Sequence, residues 1–522
     1  MIYIRRVLCI VLFALSCLVS VERTRAAVGP RVVVYPRSTA LAVSTDFAVY
    51  VRVPDGNWQS VPVYTAPVST GIDVESDIRA VATQGLGRSR SALTSISIFD
   101  FAGKTEIEIQ SLRRSPKSVR IRPEHAGVVA SLDGNTIRFS LQQPRNLSIE
   151  MDGDIFRNLQ LFAGEIQEFN PQRSEANMIH FGPGVHAIGT IDLPSGANVF
   201  LDGGAVVIGG FSVVRAHDVQ IRGHGILISP RLISPAMLQG MKLETLPGAT
   251  ASARHHDAIL IDGSNQVKVS DLTIIPNGYT VLAGQSENVE IRGLKSISAG
   301  GNNDGIDVFS SRHVLIDGVY MRNSDDNIAL YGHRWNYYGD LADVTVQNST
   351  LWADVAHPIL VGTHGDPEHP ETLSQLRFRN IDILDQREPQ LDYQGCMSLN
   401  AGDSNLIKDV LFEDIRVDDI RMGQLLNLRV MFNRKYNTSP GRGIEDVVFR
   451  NVSYNGTHAG TSLIAGYDDQ RAVRRVRFEG LKMNGVTISD SMRGKPGFYK
   501  TGDIARIFIG EHVDDVVFGE SQ

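Results

Sequence analysis

The chain has 522 residues, of which 42% are hydrophobic and 21% are charged, and its formal net charge is −7. This is the composition of a globular protein, which excludes a mainly disordered chain or a coiled coil, and the length predicts two or three domains of roughly 150 residues each. The acidic balance also disfavours nucleic-acid binding through phosphate neutralisation.

The first segment has the features of a secretory signal peptide. Arg5 and Arg6 precede an apolar run at residues 7–21 that is short for a bilayer span. We therefore expect residues 1–26 to be a signal peptide and the mature protein to be secreted, in an extracellular or periplasmic location. An uncleaved N-terminal anchor is one alternative, and lipoprotein anchoring at Cys17 is another. No later stretch is apolar for long enough to span a membrane, so we expect no stable membrane insertion.

Cys396 is the one cysteine that follows this segment. An exported protein with a single cysteine forms no intramolecular disulfide, so its stability must come from packing and hydrogen bonds. A lone cysteine also argues against a thiolate metal cluster.

Residues 27–178 contain short segments in which apolar and polar residues alternate. These segments are residues 31–35, 47–53, 95–101, 105–109 and 136–141. Turn sequences such as Pro-Asp-Gly at residues 54–56 separate them. Many short strands at this spacing predict an antiparallel β-sandwich. No catalytic cluster stands out here, so we interpret this part as an accessory domain, structural or facing carbohydrate.

A degenerate repeat occupies residues 179–522. Each copy has a polar residue, then usually valine, then alternating apolar and polar residues, and then Gly, Asn or Asp. The anchoring apolar residues include Val267, Val289, Val314, Val344, Leu376 and Val410, which are 22 to 34 residues apart. Strand-like repeats of this length predict an all-β solenoid, a right-handed parallel β-helix. A β-propeller is the alternative, but its period would be a more constant 40–50 residues, as is typical of that fold.

Acidic residues are concentrated between residues 300 and 330. Asp304 precedes Asp325 by 21 residues, about one coil, and Asp326 follows directly. Because stacked coils place equivalent residues about 4.8 Å apart, the three carboxyl groups can face one groove. Like charges this close raise one pKa, which leaves a protonated acid beside ionised bases, as glycoside hydrolysis requires. A calcium site, or aspartates that only form turns, would be a structural alternative.

These motifs resemble those of glycoside hydrolase family 28, the polygalacturonases. Residues 302–305 (Asn-Asn-Asp-Gly) match the family's Asn-x-Asp-Gly, Asp325 and Asp326 match its Asp pair, and His357 stands where the family has Gly-His-Gly. The resemblance covers roughly residue 179 to the end. The family's Arg-x-Lys strand is absent, because residues 395–400 read Gly-Cys-Met-Ser-Leu-Asn. A sandwich before the β-helix is also similar to family 49, the dextranases and isopullulanases, which act on neutral glucans.

The resemblance implies a role for each residue. Asp325 would be the general acid, Asp304 and Asp326 would hold and activate a water, and His357 would orient or tune the acid. The reaction would be a single displacement with inversion, for which we expect an acid–base separation of about 6.5–9.5 Å.

Four further residues are candidate substrate contacts: Asn303, Tyr331, Trp335 and Tyr393. Aromatic rings pack well against sugar faces, although packing of a loop over the groove would account for them equally well. No metal-ligand spacing stands out, so we expect neither a metal nor another cofactor. The expected partner is a polysaccharide or oligosaccharide bound by a monomer, with no nucleic acid.

The sequence therefore predicts a secreted inverting glycoside hydrolase, polygalacturonase-like or dextranase-like. A polysaccharide lyase or epimerase is the first alternative, and it would need a cation or an Arg or Lys base near the carboxylates. A non-catalytic carbohydrate-binding β-helix is the second.

Overall fold

The computed structural model describes residues 29–71, 90–167, 178–246, 248–252, 258–390 and 392–520. The predicted signal peptide at residues 1–26 lies outside the described residues. No helix within the described ranges is long and apolar enough to cross a membrane.

The strands that precede residue 178 form two small sheets. They are β1 (Arg31–Val34), β2 (Phe47–Arg52), β3 (Gln59–Val61), β4 (Val63–Gly71), β5 (Arg90–Ala102), β6 (Thr105–Ser111), β7 (Val119–Arg122), β8 (Ser131–Asp133), β9 (Thr136–Leu141), β10 (Arg145–Met151) and β11 (Asp154–Glu165). One sheet has the order β1-β5-β11-β10-β7 with β4 beside β5, and the other has the order β3-β2-β6-β9-β8.

The two sheets share one apolar core, so the predicted sandwich is confirmed. Phe99 and Leu161 of one sheet are buried in the same cluster as Ile107 and Ile137 of the other. The prediction of purely antiparallel pairing was wrong at one place, because β5 and β11 run parallel. A hairpin from β10 sets the direction of β11, which then lies between β10 and β5.

The strands from residue 178 onward form a sheet of 31 strands and two two-stranded ribbons. They are β12 (Met178–Phe181), β13 (Gly184–Asp192), β14 (Asn198–Leu201), β15 (Ala205–Val214), β16 (His217–Gly223), β17 (Ile226–Ile228), β18 (Thr250–Ala251), β19 (Ile259–Asp262), β20 (Asn265–Ser270), β21 (Thr273–Ile275), β22 (Val281–Gly284), β23 (Glu287–Arg292), β24 (Lys295–Ile297), β25 (Ile306–Phe309), β26 (Arg312–Asp317), β27 (Tyr320–Asn323), β28 (Ile328–Tyr331), β29 (His333–Arg334), β30 (Tyr337–Tyr338), β31 (Leu341–Ala353), β32 (Ile359–Gly362), β33 (Thr372–Gln386), β34 (Met397–Ala401), β35 (Leu406–Val417), β36 (Gly423–Gln424), β37 (Leu426–Val430), β38 (Gly443–Arg450), β39 (Ser453–Tyr454), β40 (Ala459–Gly460), β41 (Ser462–Ala465), β42 (Val473–Glu479), β43 (Leu481–Met483), β44 (Val486–Ile488), β45 (Ile507–Ile509) and β46 (Val513–Gly519).

Within the described residues, helical structure is limited to short pieces between strands. Two short α-helices are α1 (Pro235–Gln239) and α2 (Thr501–Ile504), and 3₁₀ turns lie at Glu124–Ala126 and Pro230–Leu232.

The predicted repeat forms a stacked column in the large sheet. The anchoring residues pair in parallel register along the series Val267, Val289, Val314, Val344, Leu376 and Val410. The residue before each anchor adopts a left-handed conformation, as at Asn288 (φ 56°) and Asp409 (φ 55°), which Asn and Asp tolerate. The sequence period therefore corresponds to the coils of a parallel β-helix, and the propeller alternative was wrong.

Aromatic stacking runs inside the last coils. The rings of Phe378, Phe412, Phe449, Phe478 and Phe518 stack with centroid separations of 4.6 to 5.0 Å. This separation is about the spacing of neighbouring strands, so each coil supplies one ring to a continuous apolar column.

The sandwich packs against the early coils through a second apolar core. Phe162 of β11 meets Tyr320 of β27 with ring centroids 5.3 Å apart. The hydroxyl of Tyr320 donates a hydrogen bond to Gln160 at 2.6 Å, so the polar end of the buried ring is satisfied. The assignment of residues 27–178 as a separate accessory domain stays a prediction.

Candidate active site

Backbone hydrogen bonds between neighbouring coils bring the predicted catalytic residues together. The backbone N–H of Gly305 donates to the carbonyl of Asp326 at 2.7 Å, and that of Asn327 donates to the carbonyl of His357 at 2.8 Å. Asp304, Asp326 and His357 therefore lie on three successive coils, as the stacking argument predicted.

Gly305 is required at this point by close approach of two coils. A Cβ atom at this position would lie 2.2 Å from the backbone oxygen of Asn327. Any larger residue would push the coils apart and separate Asp304 from the Asp pair. The close packing of neighbouring coils thus requires the glycine of the Asn-x-Asp-Gly motif in this chain.

The carboxyl groups of Asp304, Asp325 and Asp326 converge, with one oxygen of each within 4.8 Å of the others. Asp325 is oriented by two backbone N–H groups, from Asn302 and Asp326, each at 3.1 Å. The expected acid–base separation of about 6.5–9.5 Å refers to whole carboxyl groups and stays a prediction.

Asp326 receives the strongest set of hydrogen bonds in the cluster. Its Oδ1 accepts from the backbone N–H of His357 at 3.0 Å and from the ring Nδ1 at 2.7 Å. The Tyr331 hydroxyl donates to Oδ2 at 3.4 Å. These three donors fix the position of the Asp326 carboxyl group between the coils.

The imidazole of His357 is fully buried and faces an acceptor at each nitrogen. Nδ1 points to Asp326, and Nε2 lies 2.9 Å from the backbone carbonyl of Tyr393. Burial alone would lower the pKa of His357, but the carboxylate of Asp326 outweighs it and raises the pKa. The ring is therefore best described as an imidazolium that donates from both nitrogens.

The other two carboxyl groups favour their protonated forms. Loss of hydration, followed by the charges of Asp326 and Glu388, raises the pKa of Asp325 to about 7. Burial, together with Asp307 and the Asp pair, raises the pKa of Asp304 well above its usual range. The Oδ1 atom of Asp304 is buried and has no hydrogen-bond partner among the residues that the structure describes.

Tyr331 and Tyr393, both predicted substrate contacts, lie beneath the carboxyl groups rather than on an open wall. Tyr331 is 5% exposed and stacks on Phe309, with ring centroids 5.4 Å apart. Tyr393 is 6% exposed and packs edge-on against the His357 ring at 4.7 Å. Their positions support Asp326 and His357 directly, and their contact with substrate stays a prediction.

A groove of about 630 Å³ opens beside the carboxyl cluster. Its lining comprises Arg231, Asn277, Gly278, Tyr279, Leu282, Gly301, Asn302, Asn303, Arg334 and Trp335. Trp335, a predicted contact, is 52% exposed and meets Tyr279 edge-on at 5.9 Å. Asn303, another predicted contact, is 4% exposed, and its Oδ1 accepts from the backbone N–H of Gly278 at 2.5 Å.

Two arginines in this groove were missed by the sequence analysis. Arg231 and Arg334 both line the groove, and the guanidinium group of Arg334 lies 5.1 Å from the centre of the Trp335 ring. Neither forms an ion pair with a carboxylate among the residues that the structure describes. Arg334 is close enough to Asp304 that its charge lowers the pKa of that carboxyl group, although burial outweighs it. Both lie on connections between coils, outside the repeat, so no periodic signal marks them.

The strand that would hold the family's Arg-x-Lys is β34 (Met397–Ala401), which pairs with β32 (Ile359–Gly362) and carries no cation. Arg377 and Arg379 pair instead with Asp409 and Glu413 of the next coil. The ammonium group of Lys435 donates to Gln390, whose backbone N–H donates to the carboxyl group of Glu388.

Glu388 is a further buried acidic residue whose charge acts on the cluster, and the sequence analysis missed it. Its side chain is 2% exposed, and its charge acts on both Asp325 and His357. It follows β33 in a connection of irregular length, where the repeat gives no register.

The three aspartates are also the group of described residues whose ligand atoms converge closely enough to hold a metal ion. The imidazolium of His357 already supplies one positive charge to this cluster. Cys396 is buried and unbridged, and burial raises the pKa of its thiol, so it is not a candidate ligand in its present environment.

Comparison with known proteins finds a family model that matches the part of the chain containing these residues. Residues 239–495 match the family model described as glycosyl hydrolases family 28, and this range includes all eight predicted site residues. Endopolygalacturonase B of Aspergillus niger is 23% identical over 192 residues, which is 36% of this chain and 48% of that protein. A polygalacturonase of Chamaecyparis obtusa is 25% identical over 249 residues, covering 46% of this chain and 43% of that protein. This chain therefore spans about half the length of the curated relatives it matches.

A solved structure extends the likeness to nearly the whole chain. Dex49A from Penicillium minioluteum superposes with a TM-score of 0.56 and 14% identity, and the match covers 92% of this chain and 96% of that one. At this identity the likeness concerns the fold alone, which is the sandwich followed by the β-helix.

Proposed function

We propose that this protein is an inverting glycoside hydrolase that cleaves O-glycosidic bonds of a polysaccharide, because residues 239–495 match the family model described as glycosyl hydrolases family 28. The observation that carries the proposal is the convergence of Asp304, Asp325 and Asp326 within 4.8 Å beside an open groove. A set of turn aspartates on a structural β-helix would have no reason to meet at one point.

Asp325 acts as the general acid. Its side chain is half-buried, and two backbone N–H groups hold the carboxyl group in place. Its pKa is raised to about 7, so the carboxyl group is protonated below that pH. Its proton passes to the glycosidic oxygen as the bond to the anomeric carbon breaks. General acid catalysis of this kind contributes roughly 10²- to 10⁴-fold to the rate.

Asp326 acts as the base, with Asp304 as its partner in holding water. A water that hydrogen-bonds to two oxygens at about 2.8 Å each can bridge a gap of 4.8 Å, so the observed spacing accommodates it. The unpartnered Oδ1 of Asp304 supplies one of these bonds. The water adds to the anomeric carbon and gives its proton to Asp326, and the product has inverted configuration.

The groove supports a substrate that carries a negative charge near the scissile bond. Arg231 and Arg334 line the groove without a carboxylate partner in the described residues, and guanidinium groups bind carboxylates well. They would supply the cationic character that β34 lacks. Trp335 offers an exposed ring for a sugar face.

A neutral glucan is the second candidate substrate. It is favoured by β34 (Met397–Ala401), whose side chains include no cation at the position next to β32. In that case Arg231 and Arg334 would hydrogen-bond to hydroxyl groups.

The deciding experiment incubates the purified protein with galacturonan, carboxyl-reduced galacturonan and dextran, and measures new reducing ends. We expect hydrolysis of the acidic polymer and an initial product of inverted configuration by proton NMR. Arg334→Ala should raise KM for the acidic polymer and leave KM for a neutral one unchanged. Product ends that are unsaturated and absorb in the ultraviolet would instead indicate a lyase. If none of the polymers is cleaved, the result would favour a non-catalytic carbohydrate-binding β-helix.

We also propose that the protein is secreted, which rests on the signal-peptide pattern of residues 1–26. Fusion of this segment to a reporter that is active only after export tests it. A reporter retained inside the cell would contradict the proposal.

A further inference from the structure

The sandwich and the β-helix enclose a cleft of about 670 Å³, which shares no lining residue with the catalytic groove. Two contacts join its walls. Nε2 of Gln167 donates to Asp271 at 2.6 Å, and Nδ1 of His125 lies 2.9 Å from a carboxylate oxygen of Asp382. A cavity of this volume is within the range of ligand sites. The cleft is therefore a bounded space between two parts of the protein and not an open surface.

The floor of the cleft follows one row of outward-facing side chains on neighbouring coils. From Lys295 of β24, the parallel register runs through Tyr320 of β27 and Thr350 of β31 to Asp382 of β33. Lys295, Thr350 and Asp382 line the cleft. Three strand spacings separate the first from the last, so the floor is about 14 Å long. This length suits an extended ligand better than a single ion.

Two glycines at successive coil turns contribute to the volume of the cleft. Gly293 and Gly318 both line it and adopt left-handed conformations, with φ of 57° and 67°. A Cβ atom at Gly318 would meet no atom of the described residues closer than 3.8 Å. The space beside this turn is therefore not filled by packed side chains, and it is open to a ligand.

Lys295 places a buried positive charge in the cleft. It is 8% exposed, and its ammonium group donates to the backbone carbonyl of Asp271 at 3.1 Å. It forms no ion pair with a carboxylate among the residues that the structure describes. Burial lowers the pKa of Lys295, although the charges of Asp271 and Asp100 oppose this shift. Because an ammonium group has three N–H donors and a buried charge is costly without a counter-charge, an anion in the cleft would be bound favourably.

The sandwich wall adds a second cation and neutral polar groups. Arg145, at the start of β10, donates to the carbonyl of Pro144 at 3.4 Å and has no carboxylate partner in the described part of the chain. Asn146 beside it and Thr350 on the floor contribute an amide and a hydroxyl group to the lining. Cations bind carboxylates, and amide and hydroxyl groups exchange hydrogen bonds with hydroxyls. The lining therefore suits a ligand that carries both carboxylate and hydroxyl groups.

We propose that the cleft between the sandwich and the β-helix is a second carbohydrate site, which binds an acidic oligosaccharide and pairs one of its carboxylates with Lys295. The site carries out no reaction. It holds a sugar chain on the protein at a place separate from the carboxyl cluster, so the proposal goes beyond the hydrolase function and does not depend on it.

The test is calorimetric titration of the full chain with trigalacturonate, in an Asp325→Asn background that prevents cleavage of the probe. Adding Lys295→Met should remove one binding event per chain, or weaken it at least about tenfold, because a charge-assisted hydrogen bond is lost. Lys268→Met is the matched control, since Lys268 has a side chain that is 60% exposed, pairs with Glu290 at 3.4 Å and lies outside the cleft. Unchanged binding in a folded Lys295→Met, or an equal loss in Lys268→Met, would overturn the proposal.

Two further probes test the chemistry of the ligand. The carboxyl-reduced trisaccharide should bind the cleft at least about tenfold more weakly than trigalacturonate, because it cannot pair with the ammonium group. Equal affinity would overturn the acidic character of the ligand. Sodium acetate that displaces trigalacturonate from the cleft at an equal concentration would show a site for a simple carboxylate and would overturn the oligosaccharide assignment.

A variant on the opposite wall keeps the proposal testable should Lys295→Met not fold. Arg145→Ala removes the second cation at a turn of the sandwich, and it should also weaken binding in the cleft. Unchanged binding in a folded Arg145→Ala would then overturn the proposal. A wild-type protein that cleaves no polymer would contradict the hydrolase function alone, because the titration still counts the cleft site.

Discussion

Nδ1 of His357 lies 2.7 Å from Oδ1 of Asp326, and the side chains are 0% and 8% exposed. The second ring nitrogen donates to the backbone carbonyl of Tyr393, so the imidazolium is held at both ends. This pair fixes one negative charge on Asp326. The charge of Asp326 makes ionisation of Asp304 and Asp325 less favourable. The cluster therefore contains both a base, Asp326, and an acid, Asp325.

Removal of the buried imidazolium should harm both stability and activity. We expect His357→Ala to lower the free energy of unfolding by about 3–5 kcal/mol, because it leaves the Asp326 charge buried without its partner. The rate should fall at least 100-fold, as the base loses its orientation. Chemical denaturation and initial hydrolysis rates measure the two effects.

His369→Ala is the matched control. His369 pairs with Asp366 at 2.8 Å, but its side chain is 79% exposed, so the pair contributes little. Both stability and rate should stay near wild type. Equal losses in the two variants would contradict the assigned role of the buried pair.

The rate should depend on pH through the general acid. Because the pKa of Asp325 is raised to about 7, the acid is protonated below that pH and loses its proton above it. We therefore expect kcat/KM to decline above pH 7, and well above that pH it should fall tenfold for each further pH unit. A pH profile at constant ionic strength measures this, and full activity at pH 9 would contradict the assignment.

Trp335 should contribute to binding and little to folding. Its ring is 52% exposed at the groove wall, so Trp335→Ala should raise KM several-fold and leave the melting temperature nearly unchanged. Tyr338→Ala is the control, because Tyr338 is 58% exposed in the same hairpin but does not line the groove. Equal changes in KM would show that the groove is not the substrate site.

Hydrolysis should not need a metal ion. The cluster has its own positive charge in His357, and two of its carboxyl groups favour the protonated form, so no cation is required to balance three negative charges. We expect unchanged rates after treatment with EDTA and dialysis. Loss of activity that calcium restores would instead make the three aspartates a metal site.

The sequence predicts the fold and the centre of the site because both depend on the repeat. The column of Val289, Val314 and Val344 keeps its register although the coils differ in length, since each extra residue is placed in a loop. The same register puts Asp304 beside Asp326. Strand β9 (Thr136–Leu141) has the bounds that alternation predicts.

What the sequence does not predict comes from irregular connections and from pairing between distant strands. Arg334 follows β28 in a short hairpin, and Glu388 follows β33 in a loop, so neither has a register that places it at the cluster. The parallel pairing of β5 and β11 depends on the position that the β10–β11 hairpin takes in the sheet. The alternation of apolar and polar residues in the sequence does not reveal that position.

The measurement that tests the central claim most directly is release of reducing ends by Asp325→Asn. Substitution of this half-buried side chain should leave the fold and melting temperature intact while the rate falls by roughly 10²- to 10⁴-fold. Asp409→Asn, at an exposed coil turn with φ 55° that asparagine tolerates, should keep the wild-type rate. A folded Asp325→Asn that hydrolyses polysaccharide as fast as the wild type would contradict the account.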